Sequence, residues 1–162
     1  RKSRGLGDVY KRQFIEYLEI NRNMAPCVVF QLSQADLAAR ADDTGQDLQR
    51  LVNVGYRLCM NEVTDLNFDP TGLARLGFQF VKIHVKSLLK KDIMSTSESI
   101  QNMQTSLDEA GVDLIVDGIE TEQELIELLD FSIDLGQGYL FGEPRMSKNP
   151  GDNSKPPELR VV

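Results

Sequence analysis

The sequence predicts an α/β fold with a parallel sheet, and three observations carry that prediction. One unit recurs from Phe14 onward: an amphipathic helix, a glycine, then a short apolar strand. It is legible in Leu51-Val-Asn-Val-Gly55-Tyr-Arg-Leu-Cys-Met60, in Leu73-Ala-Arg-Leu-Gly77-Phe-Gln-Phe-Val-Lys-Ile83 and in Leu107-Asp-Glu-Ala-Gly111-Val-Asp-Leu-Ile-Val116. Each glycine stands where a helix C-terminus needs a left-handed residue. The apolar runs that follow have the length of strands buried on both faces of a parallel sheet. Finally, polar residues stop these runs where strand gives way to helix, as in Asp117-Gly118-Ile119-Glu120. Barrels of the α/β kind build their sites at that end of the strands.

Element by element, helices are expected near 14–22, 45–54, 70–76, 97–110 and 121–131, and strands near 27–32, 57–62, 79–85, 113–117 and 135–140. Pro70 suits a first helical turn, with Asp69 as its N-cap. Ile100, Met103 and Leu107 make the apolar stripe of the fourth helix, with the methionine filling core. Thr121-Glu-Gln-Glu124 is a capping box ahead of a stripe formed by Leu125, Leu128 and Leu129. Five strands fit either an open sheet or the C-terminal part of a (β/α)8 barrel, which takes roughly 250 residues when complete. The second is preferred here.

The totals narrow the function. A chain of 162 residues, 41% hydrophobic and 27% charged, is one ordinary globular domain. No apolar run approaches the ~20 residues of a membrane span. The net charge of −7 argues against a nucleic-acid duplex as partner, because such binding rests on Lys and Arg neutralising phosphates. It leaves room for a small nucleotide held by a few donors. Cys27 and Cys59, each heading an apolar run, are expected as reduced, buried thiols, which points to the cytoplasm.

The ends are expected to stand apart. Residues 1–13 carry five Lys/Arg against one Asp, a local +4 in a chain at −7, with no apolar periodicity. They resemble translated adapter sequence and are set aside from the fold, which implies a gene that continues upstream. A basic tail for acidic lipid or nucleic acid is the functional alternative. Residues 14–146 form the domain, and the polar, Pro-rich 147–162 read as a disordered tail.

Phe80-Val-Lys-Ile-His84, Val116-Asp-Gly-Ile-Glu-Thr121 and Gln137-Gly-Tyr-Leu-Phe-Gly-Glu-Pro144, together and in this order, resemble the C-terminal two thirds of an EAL domain. The resemblance runs from about Phe14 to Arg145. It implies a TIM-like (β/α)8 barrel of EAL type with its first strands outside this chain. It also implies a family activity, hydrolysis of cyclic di-GMP by two divalent cations held on strand-end carboxylates, and a tendency to pair as homodimers.

Against that pattern this sequence departs at several positions. Where active members carry Glu-x-x-Glu it has Gln31 and Gln34, and where they carry paired aspartates before Phe-Gly it has Asn61-Glu62-Val63-Thr64. Lys82 is kept, the following aspartate is His84, Asp117 shortens a glutamate, and Glu120 and Gln137 match. A neutral amide coordinates a hard cation far less well than a carboxylate. The resemblance therefore implies a degenerate, non-hydrolysing receptor for cyclic di-GMP, needing no cofactor. Its nearest likeness is to EAL-like receptors of flagellum assembly in alphaproteobacteria, with protein partners in motility or signalling. Its ligand-binding residues would be Gln31, Asn61, Glu62, Lys82, Asp117, Glu120, Gln137, Gly138 and Tyr139, with Gln31, Asn61, Glu62 and Asp117 as vestigial metal positions. Two alternatives stay open: an active phosphodiesterase using Mg2+ or Mn2+ with Lys82 and Glu62, and a protein-interaction scaffold.

Several residues carry a plainer reading as well. Lys82 either faces phosphate inside the barrel mouth or snorkels from a covered strand. His84, the single histidine, reads as a structural group. Asp117 and Glu120 either meet the ligand or serve loop and turn, and Gln137-Gly138-Tyr139 either reads phosphate or guanine or is a tight strand bend. Lys86, Lys90 and Lys91, Asp42 and Asp43, and Glu122, Glu124 and Glu127 read as solvated surface.

Overall fold

A computed structural model describes residues 6–39, 45–89, 97–131, 133 and 135–142. Within them the five expected strands form one sheet: β1 (Val29–Ser33), β2 (Arg57–Asn61), β3 (Phe78–His84), β4 (Asp113–Asp117) and β5 (Leu135–Gly136). All pairs are parallel and the spatial order is β1-β2-β3-β4-β5. Sequential neighbours joined by helical crossovers are the layout of a barrel wall.

The helices are α1 (Leu6–Ile20), α2 (Gln34–Ala39), α3 (Gly45–Val54), α4 (Pro70–Arg75), α5 (Val85–Leu88), α6 (Ser97–Ala110) and α7 (Glu122–Asp130). The three predicted C-terminal glycines all take positive φ: Gly55 at 106°, Gly77 at 90° and Gly111 at 70°. The capping box is present in full, with the Glu124 N–H donating to Thr121 Oγ1 at 3.2 Å and the Thr121 N–H donating back to Glu124 Oε2 at 3.1 Å. That carboxylate also accepts from the Glu120 N–H at 2.9 Å.

Alternation divides the sheet. One face (Leu58, Met60, Val81, Ile83, Leu114, Val116) is buried under helices with Leu48, Leu73, Leu88, Leu107 and Leu128. A smaller cluster joins Ile15 and Leu18 of α1 to Leu51 and Tyr56. The Tyr56 hydroxyl sits 3.0 Å from the Leu18 carbonyl and 3.2 Å from that of Asn21, so the ring can be buried without an orphaned donor.

Several expectations are corrected. Helix α1 begins at Leu6, not near 14, and Lys11 reaches Asp47 of α3 at 2.7 Å. The first strand starts at Val29 because a 3-10 turn over Arg22–Cys27, containing Pro26, occupies the residues before it. Cys27, at the end of that turn, is exposed, whereas Cys59 is buried as expected; both are free thiols. Asp69 stands at the N-cap of α4, but its side chain makes no capping bond. Leu129 is exposed, leaving Leu128 and, partly, Leu125 to pack. The last strand ends at Gly136: the Gln137 N–H still bonds to Val116 of β4, but its carbonyl accepts from Ile119 in the loop after β4. Asp42, Asp43, Lys90, Lys91, Asp134 and the tail expected over 147–162 lie outside the described residues.

Candidate functional site

The sheet face opposite the core carries the polar groups. Registers Gln31 with Cys59, Ser33 with Asn61, Cys59 with Phe80, Lys82 with Ile115 and His84 with Asp117 place Gln31, Asn61, Lys82, His84 and Asp117 on that one face. Asn61, His84 and Asp117 are the last residues of their strands. Four of the nine expected ligand-binding residues thus share this face, Asn61 and Asp117 at strand C-termini, Lys82 two residues before one and Gln31 in the middle of β1.

Gln31 and Asn61 touch. Asn61 Nδ2 donates to Gln31 Oε1 at 3.2 Å across two adjacent strands, while Asn61 Oδ1 is buried without a partner. Beside Gln31 in the register lies Cys59. Burial pushes its thiol pKa up, with the Lys82 ammonium lowering it and the Asp117 carboxylate raising it, so both charged groups act at this spot.

The other expected residues form a rim. Glu62 directly follows β2, is exposed, and has a φ of 50°, a left-handed conformation uncommon for a residue with a long side chain. Glu120 is exposed, and its backbone N–H serves the capping box of α7. Gln137 is tied by its backbone: its N–H donates to the Val116 carbonyl at 2.8 Å and its carbonyl accepts from Ile119 at 3.2 Å. Gly138 lies against the Ile119 backbone, where a side chain would not fit, and Tyr139 is 63% exposed. His84 has the structural place expected of it. Its Nδ1 accepts from the Lys86 N–H at 3.2 Å as the N-cap of α5, and its ring packs on Gly118, whose φ is 75°.

Sequence reasoning left two groups without a role. Gln34 is hydrogen-bonded to the loop after β2 at Thr64 and Asp65. Ser33 and Asp36 cap α2, the Ser33 hydroxyl donating to Asp36 Oδ2 at 2.8 Å and accepting from the Asp36 N–H at 3.1 Å. The Ser33-x-x-Asp36 spacing was a readable signal for the second. Nothing local announced the first.

A family model for the EAL domain matches residues 6–144. The chain belongs to the EAL domain family. Among its relatives is the cyclic di-GMP phosphodiesterase RocR of Pseudomonas aeruginosa, 24% identical over 118 residues, which are 72% of this chain and 30% of RocR. Among solved structures, the FimX EAL domain of Pseudomonas aeruginosa bound to c-di-GMP aligns with a TM-score of 0.64 at 22% identity, over 78% of this chain and 54% of that one. The apo S helix-GGDEF-EAL structure of Vibrio cholerae LapD aligns with a TM-score of 0.69 at 14% identity, over 82% of this chain and 32% of that one. The chain thus spans about a third to a half of the length of these relatives. The fold is that of part of an EAL TIM-type barrel, and the polar face described above corresponds to its interior side. Among the described residues no helix is long and apolar enough to cross a membrane.

Proposed function

We propose that this chain is a degenerate EAL domain that binds cyclic di-GMP as a receptor without hydrolysing it. The observation that carries the reading is the amide pair Asn61–Gln31, bonded at 3.2 Å between the end of β2 and the middle of β1, where the family resemblance puts metal-holding carboxylates. A two-metal centre needs carboxylates closely placed around both ions. Here the described strand ends offer two amides engaged with each other, a lysine, one half-buried aspartate and an exposed glutamate. No three His, Cys, Asp or Glu among the described residues come together as a metal-holding group. These residues do not fit a metal pair.

A dianionic ligand suits what is there. Lys82 offers a half-buried cation for a phosphate, and Gln31, Asn61 and Gln137 offer neutral amides, whereas Gly138 gives its missing side chain to the Ile119 backbone packed against it. The named c-di-GMP complex of FimX supports a ligand of this class for the fold. The EAL family supports a signalling role, and the reading extends to a cytoplasmic protein with partners in motility and a homodimer. The name of RocR favours a second reading, an active phosphodiesterase in which Glu62 and Asp117 join ligands from elsewhere in the protein.

The deciding experiment is calorimetric titration of cyclic di-GMP into the protein expressed from its complete gene, with and without Mg2+, followed by chromatography of the recovered nucleotide. Metal-independent binding of intact nucleotide is the expected result. Linear product that appears with Mg2+ and vanishes with chelator would establish the phosphodiesterase instead. A folded protein that gives no heat would leave the scaffold reading.

A further inference from the structure

We propose that His84 is a ligand-binding residue whose imidazole Nε2–H donates to a phosphate oxygen of the cyclic dinucleotide; this rests on the receptor reading above. The N-cap of α5 occupies only one of its two ring nitrogens. Nδ1 accepts from the Lys86 N–H at 3.2 Å. A nitrogen that accepts carries no proton, so the ring proton sits on Nε2 and that atom is a donor. Among the described residues nothing accepts from it.

The fold sets the place of this donor. His84 ends β3 on the polar face, exposed, two residues beyond Lys82 and level with Asp117 of β4. Positions two apart on a strand share a face at a spacing of about 7 Å, so β3 lines up a cation and then an uncharged donor. The ring reaches across toward β4. Its outer edge, Nε2 nearest, fills the place a Gly118 side chain would take, and Gly118 at φ 75° has the backbone that favours glycine. A cap on one side and a glycine on the other hold the ring at the strand ends, so binding has little rotamer freedom to remove.

Capping alone does not call for an imidazole. Asp and Asn are among the best N-caps, and the aspartate that the family resemblance expects at 84 could accept from the Lys86 N–H as Nδ1 does. What the imidazole adds is a donor in place of a charge. With no metal pair to neutralise it, a carboxylate at 84 would stand level with Asp117 and face a dianionic ligand, a juxtaposition of like charges. The change at 84 therefore has the same sense as those at Gln31 and Asn61. Each removes a negative charge from this face and keeps a group able to hydrogen-bond.

The test uses the protein from its complete gene, with imidazole nitrogen resonances and Lys86 amide exchange read by NMR and cyclic di-GMP affinity by calorimetry. The wild type should show a bare Nδ1 and a protonated Nε2, whose proton moves downfield and exchanges more slowly as nucleotide binds. His84→Asn sets an amide oxygen near the Nδ1 position and nothing at Nε2, so Lys86 should stay protected while affinity falls about tenfold. His84→Asp keeps the cap but adds a negative charge, and affinity should fall about a hundredfold. His84→Gln carries its amide to the Nε2 position, so it should lose Lys86 protection yet bind within about threefold of wild type. A protonated Nδ1, an Nε2–H unmoved by bound nucleotide, or a His84→Asn protein that binds as wild type does would overturn this role alone. A folded wild type that binds nothing would overturn the receptor reading and this role together.

Discussion

Replacing Gly138 with alanine isolates the contact that closes the last strand over the site. An added Cβ would lie 2.1 Å from the Ile119 carbonyl oxygen, 2.4 Å from its nitrogen and 2.7 Å from its carbonyl carbon. All three are backbone atoms, so no rotamer change relieves them. At φ 162° and ψ 174° the residue is in extended backbone open to any amino acid, and the penalty is therefore steric, not conformational. To restore ordinary separation the segment must retreat by about 1 Å. That breaks three bonds it makes with the β4 end: Gln137 N–H to Val116 at 2.8 Å, Ile119 N–H to Gln137 at 3.2 Å and Leu140 N–H to Ile119 at 3.1 Å.

At about 1 kcal/mol net for each bond the loss is about 3 kcal/mol, a large fraction of the 5–15 kcal/mol typical of a domain. Urea unfolding followed by circular dichroism measures it through linear extrapolation. Two other glycines serve as controls. Gly136→Ala is crowded by the flexible Cδ1 of Ile119 at 2.9 Å, with the Phe141 ring at an ordinary 3.5 Å, and should be milder. Gly111→Ala meets nothing within 4 Å but sits at φ 70°, so it should cost about 1–2 kcal/mol from backbone conformation alone. A Gly138→Ala protein no less stable than Gly111→Ala would refute the argument.

The remaining predictions concern single groups. Lys82→Ala should weaken cyclic di-GMP about tenfold or more in the calorimeter, as expected for a lost charge-assisted bond; unchanged affinity would remove Lys82 from the phosphate. Native protein at mildly alkaline pH should give one rapidly labelled thiol, Cys27, with Cys59 reacting only as the chain opens, since burial both shields that thiol and pushes its pKa up. The same shift has a sign: a thiol that holds its proton more tightly when folded makes stability fall as pH rises past the ordinary thiol range, and Cys59→Ser should flatten that fall. Glu124 is shifted the other way, held below the usual carboxylate range first by the Glu120 N–H and then by Thr121. Its contribution is present above its unfolded pKa and lost as pH falls through the folded one, and an acid titration of Glu124→Gln against wild type should show that loss removed. Thr121→Ala should destabilise the protein by about 1 kcal/mol in urea through loss of the α7 cap.

Much of the fold was legible because its signals are local. The helix ends at Gly55, Gly77 and Gly111, the box at Thr121 and Glu124, and the apolar strands before Asn61, His84 and Asp117 depend on neighbours within a few residues. Where a boundary was misjudged, a competing local feature explains it. Pro26 turned 22–27 into a 3-10 segment and exposed Cys27, and basic composition masked the first turns of α1. The motif residues also identified the family before any coordinate did.

What the sequence by itself determined is therefore the order of the strands and of the longer helices, the glycine caps and the capping box, the parallel sheet and the family. Only tertiary structure decided which polar groups meet. Asn61, level with Ser33, reaches back to Gln31, and Gln34 at the start of α2 finds Thr64 in the loop after β2, each pair 30 residues apart, because the parallel pairing of β1 and β2 sets these segments side by side. His84 settles on Gly118 for the same reason, from strands whose ends align at His84 and Asp117. Alternation says which residues share a face, but only packing of the opposite face against its helices fixes the register, and with it which neighbour each polar side chain receives.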